Sequence, residues 1–74
     1  SNNTSEPIDL VSTLSDRQLQ IFTLLGKGLG TVEIAEKLKL SIKTIDTHKE
    51  NMKEKLNCES AAELRKMAIE WTKK

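Results

Sequence analysis

The sequence predicts an all-α fold of four helices, and three observations predict it. From Leu14 onward apolar residues recur at the i, i+3, i+4, i+7 spacing of an amphipathic helix. Helix-starting residues, Ser15, Ser41 and Ser60, stand ahead of these stripes. No segment alternates apolar and polar residues as a half-buried strand does. The chain has 74 residues. One domain of this size buries only about 60% of the surface its unfolded form exposes. That leaves one core and no room for a deep, enclosed active site.

Residues 1–13 read as a leader or interdomain linker, and residues 14–74 as the domain proper. The leader is rich in Ser, Asn and Thr, contains Pro7 and has no helical period. Its apolar cluster, Ile8, Leu10 and Val11, is expected to rest loosely on the domain. In the first helix Ser15 and Gln18 fit a capping box, and Leu14 and Leu19 flank it at the spacing of a hydrophobic staple. Ile21, Phe22 and Leu25 form its inward stripe. Gly26 and Gly28 end it, Gly28 being the candidate for a left-handed cap. The second helix is short: Gly30 or Thr31 caps it, Glu33 lies in its first turn, and Ile34, Ala35 and Leu38 face inward. It must stop before Ser41, which is itself an N-cap, so Lys39 and Leu40 leave room for a tight connection only. The third helix runs from Ile42 to about Leu56 with Ile45, Met52 and Leu56 inside. Asn57 then supplies the left-handed residue and Cys58 the apolar contact that accompanies such an ending. Ser60 and Glu63 fit a second capping box. The last helix, Ala61 to Lys74, presents Leu64, Met67, Ala68 and Trp71 on one stripe.

Composition removes several function classes. One cysteine cannot form an intramolecular disulfide, and one histidine with one cysteine gives no metal cluster. No metal or other cofactor is implied. A core that stands on packing alone suits a reduced, cytoplasmic compartment. No run reaches the roughly 18 apolar residues of a membrane span, and no signal-peptide pattern opens the chain. Without a glycine-rich phosphate loop or a nucleophile–base pair, no enzyme is expected. The formal charge is +1, but residues 1–16 carry −3 and the remainder +4. That mild excess permits a nucleic-acid partner without demanding one.

Two short helices joined by a three- or four-residue turn, the second with a polar outer face, describe a helix-turn-helix. The residues at this corner are more specific than its geometry. Gly28-Leu29, Glu33 to Leu38, Leu40-Ser41, Lys43-Thr44-Ile45, His48, Asn51, Lys55-Leu56, Ser60 and Ala62-Glu63-Leu64 together resemble the LuxR/GerE family. Leu14-Ser15-Asp16-Arg17 is similar to that family's opening, so the resemblance covers about 60 residues. Within the family the chain is most similar to the C-terminal effector domain of NarL/FixJ-type response regulators.

The resemblance implies a domain whose third helix enters the major groove of double-stranded DNA. It also implies a bacterial transcription regulator with an upstream receiver domain, acting as a homodimer. Asp46, Thr47 and Glu50 match the positions that read bases. Lys43, Thr44 and His48 match positions near the DNA backbone, and Lys49 and Lys53 are candidates for added phosphate charge. The dimer contact falls to the last helix, with Met67 and Trp71 its candidates. Read from the residues alone, several alternatives stay open. His48 is a phosphate contact or a packing residue, and Trp71 a core lid or a dimer anchor. Cys58 reads best as a small core hydrophobe. The chain departs from the family at three places. Lys39 stands where glycine is usual, at a backbone conformation that costs a side chain about 1 kcal/mol; Asn57 replaces another glycine, and Ala61 an arginine. Asp46, Glu50 and Glu54 put three carboxylates on the groove face. A carboxylate there is repelled by phosphate unless it accepts from a base, best from cytosine N4. Weak non-specific affinity and a shallow salt dependence are therefore expected. The competing expectation is a protein-interaction module that has kept the fold and lost DNA affinity.

Overall fold

A computed structural model of the protein describes residues 10–73. Expectations that fall on Ile8, Pro7 and Lys74 lie outside the described residues. A 3-10 turn, Leu10–Thr13, precedes four helices: α1 (Asp16–Gly26), α2 (Thr31–Leu38), α3 (Ile42–Lys55) and α4 (Ala61–Thr72). No strand occurs among the described residues. The segment read as a leader is thus partly built into the domain. Leu10 and Val11 pack against the core, and the Leu14 N–H closes the turn on the Val11 carbonyl at 3.1 Å.

Each helix starts where a side chain can take up orphan backbone donors. Ser15 Oγ accepts from the Gln18 N–H at 3.1 Å, and Gln18 Oε1 accepts from the Ser15 N–H at 3.0 Å, a reciprocal capping box. Gly30 starts α2 with no side chain to offer, so only the returning bond forms, from its N–H to Glu33 Oε1 at 2.8 Å. Ser41 and Ser60 cap α3 and α4 by accepting from the Thr44 and Glu63 N–H groups. The second expected capping box is only half formed. The Glu63 carboxylate accepts from the Glu59 N–H, one residue beyond the cap. That N–H has no intrahelical partner either, so it competes on equal terms for the same oxygen.

Three helices end in the same way on three different residues. Gly28, Lys39 and Asn57 all have positive φ, at 97°, 59° and 58°. In each case the next residue's N–H reaches back to the last turn: Leu29 to Leu24 O at 3.1 Å, Leu40 to Ala35 O at 2.9 Å, Cys58 to Lys53 O at 2.8 Å. These are Schellman endings, which satisfy carbonyls the helix itself leaves unpaired. At Lys39 the geometry, φ 59° and ψ 43°, is left-handed, as the missing glycine required.

The core is one cluster: Ile21, Phe22, Leu24 and Leu25 of α1, Ile34 and Ala35 of α2, Ile45 and Met52 of α3 with Leu56 just after it, and Leu64 and Ala68 of α4. α1 packs most extensively on α4, and α2 on α3. Trp71 covers Phe22 with ring centroids 5.5 Å apart and planes tilted by 56°. Gly26 does more than end α1. A Cβ placed there would lie 2.5 Å from the Ala68 carbonyl oxygen and 2.4 Å from Thr72 Cγ2, so α1 and α4 touch backbone to backbone. Polar ties join the helices across the core's rim. Lys55 Nζ donates to Gln18 Oε1 at 2.8 Å and to the Thr13 carbonyl at 3.2 Å, while Arg65 Nη2 donates to the Leu29 carbonyl at 3.1 Å.

Candidate nucleic-acid interface

The α2–α3 corner has the proportions of a helix-turn-helix: eight residues of helix, a turn of three residues (39–41), then fourteen residues of helix. Ile45 and Met52 are fully buried and hold the inner side of α3 against the core. At 3.6 residues per turn this fixes what faces outward. Lys43, Asp46, Thr47, Glu50 and Glu54 are all exposed, as the inward stripe required. Thr44, His48, Lys49 and Lys53 are half-buried on its flanks.

Local chemistry sets what each can offer. Thr44 is held at the start of α3, its hydroxyl 2.8 Å from Ser41 Oγ. The Thr47 hydroxyl donates to the Lys43 carbonyl at 3.0 Å. As placed, Thr47 therefore presents a methyl group and an acceptor, and must break that bond before it can donate outward. Glu50 Oε2 pairs with Lys53 Nζ at 2.9 Å across one turn, on a side chain left 72% exposed. An exposed pair of this kind contributes about 0.5 kcal/mol and yields readily to a competing partner. The carboxylate of Asp46, in contrast, has no ion pair among the described residues.

Lys49 is committed elsewhere. Its ammonium donates to the Thr31 hydroxyl at 3.0 Å, bridging α3 to the first turn of α2. A positive charge thereby lies beside the unpaired N–H groups of α2, on the flank of α3 where a DNA strand would pass. The opposite flank is a shallow recess lined by Ser41, Lys43, Thr44, Thr47, His48 and Asn51. His48 Nδ1 is buried and has no hydrogen-bond partner among the described residues. On α4, Met67 and Trp71 are both half-buried against the core.

Residues 12–68 match the model of the family described as bacterial regulatory proteins, luxR family. The chain belongs to the luxR family. It is a DNA-binding helix-turn-helix domain of that family, with α3 in the recognition position. Among curated relatives, the oxygen regulatory protein NreC of Staphylococcus carnosus (strain TM300) is 44% identical over 68 residues, which are 92% of this chain and 30% of the relative. NreC of Staphylococcus aureus (strain MRSA252) is 45% identical over 67 residues, 90% of this chain and 30% of the relative. The chain thus spans about a third of the length of these relatives. Among the described residues, no helix of this luxR-family domain is long and apolar enough to cross a membrane.

Sequence reasoning placed the outer face of α3 correctly and gave no site role to three residues beside it. Thr31 entered only as a possible cap, Asn51 was given no role, and Ile42 was read merely as the helix start. The Thr31–Lys49 bridge depends on how two helices cross, which no spacing along the chain encodes. Ile42 carried a usable signal: it lies three residues before Ile45, turned by about 60° from the inward stripe.

Proposed function

We propose that this chain is the DNA-reading output domain of a longer, cytoplasmic bacterial transcription regulator of the response-regulator type. In this reading residues 14–74 are the effector domain. Residues 1–13 are the linker from an upstream receiver domain, its last turn docked on the core. The observation that carries the reading is the split character of α3: its inner stripe is fully buried, while Asp46, Thr47 and Glu50 stand exposed in line on the outer side. These three read base edges, Asp46 as an acceptor for cytosine or adenine amino groups. Lys43, Thr44, His48, Lys49 and Lys53 position the duplex through its phosphates, Lys49 jointly with Thr31. Two copies bind two half-sites, with Met67 and Trp71 of α4 at the dimer contact. A two-fold dimer of this kind spaces its half-sites by about 10–10.5 bp. The reading gives the chain no catalytic role.

The experiment is fluorescence anisotropy against a randomised duplex pool at two salt concentrations, with the bound fraction sequenced. Salt-sensitive binding that enriches a paired motif is expected. Lys43→Glu weakens binding to every sequence alike and reduces the salt slope by about 1, whereas Asp46→Ala chiefly changes the preferred bases. Equal loss on all sequences from both substitutions would remove the base-reading role of Asp46. No binding at low salt by a folded, artificially dimerised sample would replace the DNA reading with a protein-interaction module.

A further inference from the structure

Folding leaves two large hydrophobic side chains exposed among the described residues, Val32 at 54% and Ile42 at 48%. Exposed apolar residues scattered singly over a surface need no explanation. These two are not scattered. Each lies in the first turn of one of the two motif helices, Val32 second in α2 and Ile42 first in α3. The first helix of such a motif crosses the DNA backbone, and the N-terminal residues of the second meet base edges. Resting on the base-reading function above, we propose that Ile42 is a specificity residue whose side chain packs against the 5-methyl group of a thymine.

Three features support the assignment. The backbone at Ile42 is fixed, because Ser41 Oγ accepts from the Thr44 N–H at 3.0 Å and the Ser41 and Thr44 hydroxyls are 2.8 Å apart. The backbone there therefore needs no further ordering to make a contact, and a β-branched side chain in a helix has few rotamers to lose. Ile42 also lies four residues before Asp46, on the same flank of α3, which places the two about 6 Å apart along the helix axis. That is about two base steps of 3.4 Å, so each can meet its own base pair. Finally, the chemistry is selective. The thymine methyl is the apolar group that the major groove displays, whereas the other bases show donors and acceptors there. A branched hydrocarbon set against those edges displaces their water and returns no hydrogen bond. Ile42 and Asp46 would then select a thymine and an amino-bearing base about two steps apart.

The test removes one methyl group at a time from the DNA. Each thymine of the selected half-site is replaced singly by deoxyuridine, and binding is measured for the wild-type domain and for Ile42→Ala. The substitution is on the surface, and a circular-dichroism melt verifies that the variant folds. At one thymine, deoxyuridine is expected to weaken wild-type binding about 4-fold, the equivalent of about 0.8 kcal/mol for one buried methyl. The same replacement leaves Ile42→Ala binding unchanged. Deoxyuridine effects of equal size in both proteins at every position overturn the assignment while leaving base reading by α3 intact. A wild-type domain that enriches no site overturns the base-reading function itself, and this inference with it.

Discussion

Replacing Gly26 with alanine sets two opposing effects against each other, and their magnitudes decide the outcome. Gly26 is the last residue of α1. In a helix with room for the methyl group, the change would stabilise by about 1 kcal/mol through backbone entropy. Here there is no room. The new Cβ would lie 2.4 Å from Thr72 Cγ2, 2.8 Å from Thr72 Oγ1 and 2.5 Å from the Ala68 carbonyl oxygen, where ordinary contact begins at 3.4 Å. Thr72 can turn away, at the loss of its bond to the Gly26 carbonyl, which is long at 3.4 Å. The Ala68 carbonyl belongs to the backbone of α4 and cannot, so the two helices must separate by most of an ångström. Overpacking of this kind costs about 1–3 kcal/mol, and the lost hydrogen bond adds up to about 1 kcal/mol. After the helix-propensity gain, the net loss is about 2 kcal/mol. A domain of this size has about 4–11 kcal/mol in total. Tm should fall by about 8–16 °C. Thermal and urea unfolding, followed by Trp71 fluorescence and helical circular dichroism, measure it; Trp71 reports because its ring lies over Phe22 at the α1–α4 contact. An unchanged or raised Tm would refute the close approach. The double variant Gly26→Ala, Thr72→Ala separates the two obstacles and is expected to recover only part of the loss. Full recovery would mean that the backbone of α4 is not the barrier.

Two further substitutions probe features with single physical causes. Lys39→Gly relieves a side chain held at φ 59° and should stabilise the domain by about 1 kcal/mol, read as a higher urea midpoint with an unchanged slope; a lower midpoint would show that the Lys39 side chain makes compensating contacts. At Cys58, burial first and the Glu63 carboxylate second push the thiol above its ordinary value, while Lys53 pulls it down. Its alkylation near pH 8 should be slower in the native protein than in urea. The unfolded thiol ionises before the folded one, so this group's contribution to stability is full below about pH 9.0 and is lost as pH rises through the folded value. Cys58→Ala should flatten that alkaline decline, and an unchanged decline would assign it to other groups.

What the sequence made legible was local. The Ser15–Gln18 box, the cap at Ser41 and the left-handed endings at Gly28 and Asn57 depend on a few consecutive residues, whose types allow few backbone solutions; that at Lys39 was legible only through the resemblance, as a lysine where glycine is usual. The inner stripe of α3 was equally readable, because burial at Ile45 and Met52 leaves the outer face no choice. What escaped were contacts between elements. Gly26 looked like a helix stop, but its other reason for being glycine is the backbone of α4, more than forty residues away in the chain. Lys49 looked like a phosphate group equivalent to Lys53, yet it is bridged to Thr31 of another helix. The Ser60–Glu63 pattern promised a full box and gave half of one, because a second orphan donor lay within reach of the same carboxylate.

The bond pair made by Lys55 bears on how the domain is mounted. One ammonium group at the far end of α3 grips both the Thr13 carbonyl, where the chain comes into the fold, and Gln18, which is 5% exposed at the start of α1. The bearing of the incoming chain is thereby indexed to the helix that faces DNA. A shift of the Leu10–Thr13 turn is passed by the Thr13 carbonyl to Lys55 in the last turn of α3, so that turn and the reading helix move as one piece.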